Sequence, residues 1–189
     1  MNKVIDTGQL LLAEYAQIKE EQRARIGFRD NLIYATLGTM AAVVGSTLAR
    51  GGHLEMLLLL PPLSTILGWT YLVNDEKISA VGRYIREELA PRLKELSREQ
   101  ADVFGWESAH RGDTHRHSRK RFQLAVDLMT FCGAPLAALV VYWLFGPTQW
   151  PLLLISLADT AVVIGLAAQV VRYADIGGRP NATDRADRP

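Results

Sequence analysis

Between Leu128 and Ala158 the chain contains no Asp, Glu, Lys, Arg or His. About 20 apolar residues cross the hydrocarbon core of a bilayer, so a run of this length excludes a single soluble core helix and holds more than one crossing. Cysteine is nearly absent too. With Cys132 alone, no intramolecular disulfide can form, and its apolar setting reads as that of a small packing residue. Net charge is also missing: 21 Lys and Arg against 20 Asp and Glu leave +1, which offers no argument for nucleic-acid binding. The first thirty residues carry charges throughout and lack the early apolar stretch of a cleavable signal peptide. No glycine-rich phosphate loop with its Lys, no paired zinc motif and no intramembrane Ser with a His base is found, so no enzyme activity and no cofactor is expected.

What is present is a division into very apolar and very charged blocks, which a mean hydropathy of +0.05 conceals. Four apolar blocks run from Asn31 to Ala49, Met56 to Asn74, about Phe122 to Phe145 and about Trp150 to Val171. They are apolar all round, unlike the one-sided helices of a soluble protein. Inside a bilayer the backbone must satisfy its own hydrogen bonds, so each block is expected to be a helix. The last two are joined by Gly146-Pro147-Thr148-Gln149-Trp150-Pro151, a cluster of turn formers with Trp143 and Trp150 at its edges.

Charge placement orients the spans. Five Lys or Arg precede the first (Lys3, Lys19, Arg23, Arg25, Arg29), eleven lie between the second and third, and four follow the last (Arg172, Arg179, Arg185, Arg188). The loop between spans one and two has only Arg50, and the loop between three and four has none. By the positive-inside rule both termini are expected in the cytoplasm.

The expected fold class is all-α: a four-helix transmembrane bundle with a helical cytoplasmic extension. Its parts are a cytoplasmic N-terminal helix (1–30), a first transmembrane helix pair (31–74), a cytoplasmic helical segment with a basic loop (75–121), a second transmembrane helix pair (122–172) and a disordered tail (173–189). In the N-terminal helix Leu11, Tyr15, Ile18 and Gln22 or Ile26 recur at helical spacing. In the third part Ile78, Val81, Ile85, Leu89, Leu93 and Leu96 form one apolar stripe, with Pro91 expected to bend the helix or start a second, and Gly105 and Gly112 to break it. That stripe needs cover from the N-terminal helix, a second subunit in a homo-oligomer, or the membrane surface.

Several residues are candidates for chemistry. Asp159 falls roughly 13 Å into the fourth span, near the midplane, where an ionised carboxylate is costly. Two readings stand: an ion or proton site, or a neutral carboxyl bonded to Ser156 or Thr160 nearby, or to Thr36 or Thr39 across the bundle. Asp127, one turn into span three, is expected to pair with Lys120 or Arg121. Pro61-Pro62 is expected to kink span two or unwind it locally, and broken helices of that kind line substrate sites in transporters, although prolines are also ordinary in membrane helices. Small residues four apart (Gly38 and Ala42, Ala41 and Gly45, Gly133 and Ala137, Ala161 and Gly165) are expected to serve packing between helices of the same chain.

The run from His110 to Arg121 contains His110, Asp113, His115 and His117, but its flanking cations disfavour a metal. Arg116, Arg119, Lys120 and Arg121 are better suited to anionic lipid headgroups, at about 1 kcal/mol per near-surface charge. At the inner mouths of spans one and two an ion-paired collar is expected from Arg25, Arg29, Asp30, Asp75 and Lys77. In it Arg29 would meet Asp75, and Arg25 or Lys77 would meet Asp30.

Two segments carry a resemblance: Glu21-Gln22-Arg23-Ala24-Arg25-Ile26-Gly27-Phe28-Arg29-Asp30-Asn31-Leu32-Ile33-Tyr34, entering span one, and Tyr71-Leu72-Val73-Asn74-Asp75-Glu76-Lys77-Ile78-Ser79-Ala80-Val81-Gly82-Arg83-Tyr84-Ile85-Arg86, leaving span two. Together they resemble a family of small four-span bacterial integral membrane proteins. The resemblance implies a multi-pass protein of the bacterial inner (plasma) membrane and supplies no catalytic motif. More loosely, the layout is similar to membrane effectors of bacterial defence systems, whose spans perturb the membrane when a partner senses infection. The leading functional expectation is a non-enzymatic scaffold, signalling or effector component acting on a protein partner through its cytoplasmic helices. An ion channel, pore or small transporter using Asp159 is the alternative.

Overall fold

The computed structural model describes residues 6–96 and 116–173. The expected tail, the breaks at Gly105 and Gly112, and His110, Asp113 and His115 lie outside the described residues. Among the described residues there is no strand, and four helices are long and apolar enough to cross a membrane. The first is α1 (Thr7–Leu48). The second begins as a 3-10 turn (Leu54–Leu59), continues as α2 (Leu60–Tyr84), passes a π-turn (Ile85–Leu89) and ends as α3 (Ala90–Leu96). The third joins α4 (Arg116–Leu128) through a π-turn (Met129–Gly133) to α5 (Ala134–Phe145), and the fourth is α6 (Trp150–Tyr173). Residue 30 falls inside continuous helix, as expected of an N-terminal helix that runs straight into span one, and residue 74 falls inside continuous helix too.

Proline shapes these helices without ending them. Pro91 and Pro135 lack the N–H that a continuing α-helix needs and crowd the carbonyl four residues back. Each is preceded by a π-turn that widens the helix, so that Ala90 N–H reaches Ile85 O and Ala134 N–H reaches Met129 O. The break expected at Pro91 is therefore absorbed as a one-residue bulge. At Pro61-Pro62 the preceding turn tightens instead, and Leu60 N–H bonds Leu57 O in 3-10 fashion. Spans one and two are joined by a tight turn that needs Gly51, whose φ is +77°.

Span two is the centre of the bundle. Span one packs chiefly on one side of it, while spans three and four pack on the other side and on each other. Burial agrees with this: 44% of the apolar window of span two is buried, against 11% for span one. The main apolar cluster joins Leu32, Tyr71, Leu72, Phe131, Cys132, Val163, Leu166 and Val170, drawing on all four spans. Gly68 packs closely on it, since an added Cβ there would lie 3.0 Å from both the Phe131 ring and Leu166 Cδ2. Gly38, Gly45 and Gly165 behave otherwise. A Cβ at any of them would touch nothing within 4 Å among the described residues, so the expected packing role is not seen at these three glycines.

Beyond the apolar segments, α1 and the end of span two continue side by side as an antiparallel stalk. At 1.5 Å per residue the 42 residues of α1 reach about 63 Å, roughly twice a hydrocarbon core. The stalk has its own core: Ile85, Leu89 and Leu93 are buried against Leu11, Tyr15 and Ile18. The apolar stripe of residues 78–96 is thus covered by the N-terminal helix, except at Leu96, which stays half exposed. Fully burying a Leu or Ile contributes about 1.5–3 kcal/mol, so three such residues are enough to hold a short helix pair together.

Gly68→Val is expected to destabilise the bundle by about 1–3 kcal/mol through overpacking against Phe131, whereas Gly38→Ala leaves it unchanged. Thermal unfolding of the two variants in detergent distinguishes them; equal midpoints would contradict the central placement of Gly68.

A polar cluster at the stalk end of the bundle

Where the apolar segments meet the stalk, polar groups from three helices converge. Tyr71, Asn74 and Asp75 share one face of α2 at helical spacing. Arg29 Nη1 donates to Asp75 Oδ1 at 2.8 Å, with the two side chains about 25% and 34% exposed. Arg29 also reaches Asp30 Oδ1 at 3.3 Å. Burial opposes the charge on Arg29, but the hydrogen bond to Asp75 and the nearby acids outweigh it and hold its pKa above the ordinary value. Asn74 Nδ2 donates to the Arg25 carbonyl at 2.6 Å, and Arg25 Nη1 reaches back to Asn74 Oδ1 at 3.5 Å. Span three adds Asp127, which faces the Tyr71 hydroxyl, with Asp75 and Arg29 behind it. The Tyr71 ring itself leans on Phe131, centroids 5.1 Å apart.

Further ties run down the stalk. Gln22 Nε2 donates to Ile78 O at 3.4 Å, and Tyr84 donates to Glu14 Oε1 at 2.6 Å. That carboxylate beside the Tyr84 hydroxyl raises the pKa of the phenol.

The expected collar residues therefore divide. Arg29, Asp75 and Asp30 come together, whereas Arg25 bonds Glu21, with Nε at 2.8 Å, and Asn74 instead of Asp30. The cause is helical phase: five residues on one helix turn by about 140°, which points Arg25 and Asp30 apart. Lys77 sits about 200° round α2 from Asp75 and pairs with no carboxylate among the described residues.

The same geometry corrects one of the two partners expected for Asp127. Arg121 lies six residues away, about 240° round the helix, and is exposed, while Asp127 turns towards Tyr71. The side chains of Arg116, His117, Arg119 and Lys120 lie outside the described residues. No group of three His, Cys, Asp or Glu converges to hold a metal among the described residues.

Asp159 is buried in α6, 9% exposed, and its Oδ2 has no hydrogen-bond partner among the described residues. The partners expected for a neutral carboxyl are committed elsewhere. Ser156 Oγ accepts from Trp143 Nε1 at 3.0 Å and donates to Leu153 O, and Thr160 Oγ1 bonds Ser156 O. Thr36 and Thr39 bond their own helix, at Leu32 O and Ala35 O. Gly68 packs on Leu166 between helices that run in the same direction, so Asp159, seven residues earlier, lies about level with Pro61. There the two prolines deprive Leu58 O of donors three and four residues on.

Sequence reasoning missed Tyr71 and the Asn74 tie. Their signal was present, as a polar face at i, i+3 and i+4 closing an apolar run. No protein-family model, no curated protein and no solved structure matches this chain.

Arg29→Ala removes the guanidinium that serves Asp75, Asp30 and Asp127 together, and is expected to cost about 1–3 kcal/mol, more than Asp75→Asn. A double-mutant cycle by thermal unfolding is expected to give a coupling of about 1 kcal/mol; a coupling near zero would show the pair to be incidental.

Proposed function

We propose that the chain is a non-enzymatic component of a bacterial inner membrane, a scaffold, signalling or effector element whose stalk engages a cytoplasmic protein. One observation carries this reading. Spans one and two leave the apolar segments as unbroken helices and pair into a stalk with its own buried core. A packed helix pair resists bending, so a partner that rotates or separates the stalk acts directly on the two spans. The Arg29–Asp75 pair and Asp127–Tyr71 contact link that motion to span three. The positive-inside excess supports a cytoplasmic stalk, and the resemblance to four-span bacterial membrane proteins agrees with that location.

A photo-crosslinker at exposed Arg83 or Glu87 of the full chain in cells is expected to yield one discrete protein adduct. The same probe at lipid-facing Val44 or Leu144 should yield none. Adducts at neither stalk position, or the same adducts at all four, would remove the scaffold reading.

A second reading, a channel or small transporter, is supported by Asp159 alone. It is a buried carboxyl with an unpartnered oxygen, level with a proline-freed carbonyl, and broken helices of that kind line ion sites in transporters. Cation and proton flux into proteoliposomes is expected to fall at least tenfold in Asp159→Asn if this reading holds. Background flux in both proteins would exclude it.

A further inference from the structure

The flank of the α1–α2 pair carries a groove of about 260 Å³ lined by Arg25, Phe28, Trp69, Thr70, Val73, Asn74 and Lys77. We infer that it is a binding site for the headgroup and upper acyl chain of an anionic phospholipid, in the leaflet on the stalk side. This site is separate from the basic run before span three and does not depend on the function proposed above.

The groove has a polarity gradient along its length. Trp69, Val73 and Lys77 are spaced four residues apart on one ridge of α2, so positions 69 and 77 lie about 12 Å apart along the helix axis. The indole end lies within the apolar segment and the ammonium end beyond it. Phe28 and Trp69 are each about half exposed, so the groove opens sideways to lipid. A phospholipid has the same order: chain against Trp69 and Val73, phosphate against Lys77 and Arg25. Aromatic side chains at the membrane interface and basic pockets between spans are the two elements that favour such a ligand.

The charges are available to it. No carboxylate lines the groove, and Lys77 is exposed with no ion pair among the described residues. Arg25 is partly neutralised by Glu21, which holds its Nε at 2.8 Å and also contacts Nη2. Lys77 is therefore the principal cation. Helical phase accounts for its freedom, since Asp75 on the same helix faces Arg29 and leaves Lys77 on the opposite flank. Two cations without a lining acid favour an anionic headgroup over a zwitterionic one.

Native mass spectrometry of the purified full chain tests this, with phosphatidylglycerol, phosphatidylcholine or inorganic phosphate added to the detergent solution. The chain is expected to retain phosphatidylglycerol in preference to phosphatidylcholine. Lys77→Ala should lower that retention about fivefold, Lys77→Arg should keep it, and Trp69→Ala should weaken both lipids alike. Arg50→Ala, on the far side of the bundle, should change nothing. Unaltered phosphatidylglycerol retention in both Lys77→Ala and Trp69→Ala overturns the site. Displacement of the lipid by millimolar inorganic phosphate would show a site for soluble phosphate and overturn the lipid assignment.

Discussion

Span two has to satisfy two environments with one helix. Its apolar half lies at the centre of the bundle and meets its neighbours closely at Gly68, where a side chain would press on the Phe131 ring and Leu166. Its polar half forms one arm of the stalk and buries Ile85 and Leu89 completely. Because the helix is unbroken between these halves, the position of one sets the rotation of the other. Span one tracks it throughout, pairing at Leu32 with Tyr71 and Leu72, at Arg29 with Asp75, and at Glu14 with Tyr84. A membrane offers no hydrophobic drive between apolar helices, so close packing and a few polar ties must hold the arrangement.

The prolines show how such a helix stays continuous. In water an interior proline commonly ends a helix, but in hydrocarbon a broken helix would expose unpaired backbone groups. Within the apolar segments the chain widens the turn ahead of Pro135 and tightens it ahead of Pro61, and the same widening carries the stalk helix past Pro91. Each adjustment re-aims the side chains of the turns beside it. The π-turn at 129–133 places Phe131 and Cys132 in the main apolar cluster. The one at 85–89 lies within the stalk core, with Ile85 and Leu89 at its two ends.

Polar residues within and beside the apolar segments fall into two kinds. Of the acids, Asp75 near the stalk is neutralised by Arg29. Asp159 is not: its Oδ2 has no partner among the described residues, while Ser156 and Thr160 bond other groups. Which acid would be of which kind was only partly legible from residue order. The depth of Asp159 came from counting along the block. The commitment of Ser156 to Trp143, thirteen positions earlier in the chain, depends on how spans three and four fold back across a short turn. Helical phase alone separates Arg25 from Asp30 and Arg121 from Asp127, because both pairs lie on one helix each. In those two cases the information was already in the spacing.

The sequence by itself determined the all-α class, the four apolar helices and the apolar stripe of residues 78–96. Each results from local rules: a backbone in hydrocarbon must bond to itself, and a half-buried helix shows its period of 3.6 residues. Only the tertiary structure decided that span two is central and span one peripheral. It alone distinguished the packed Gly68 from the open Gly38 and Gly45, turned Asp127 towards Tyr71, and left Asp159 without a partner at Oδ2. The physical reason is that a helix apolar on every side carries no stripe to declare which face meets protein and which meets lipid. That choice is made by shape, where helices approach closely enough that an added side-chain carbon would press on its neighbours.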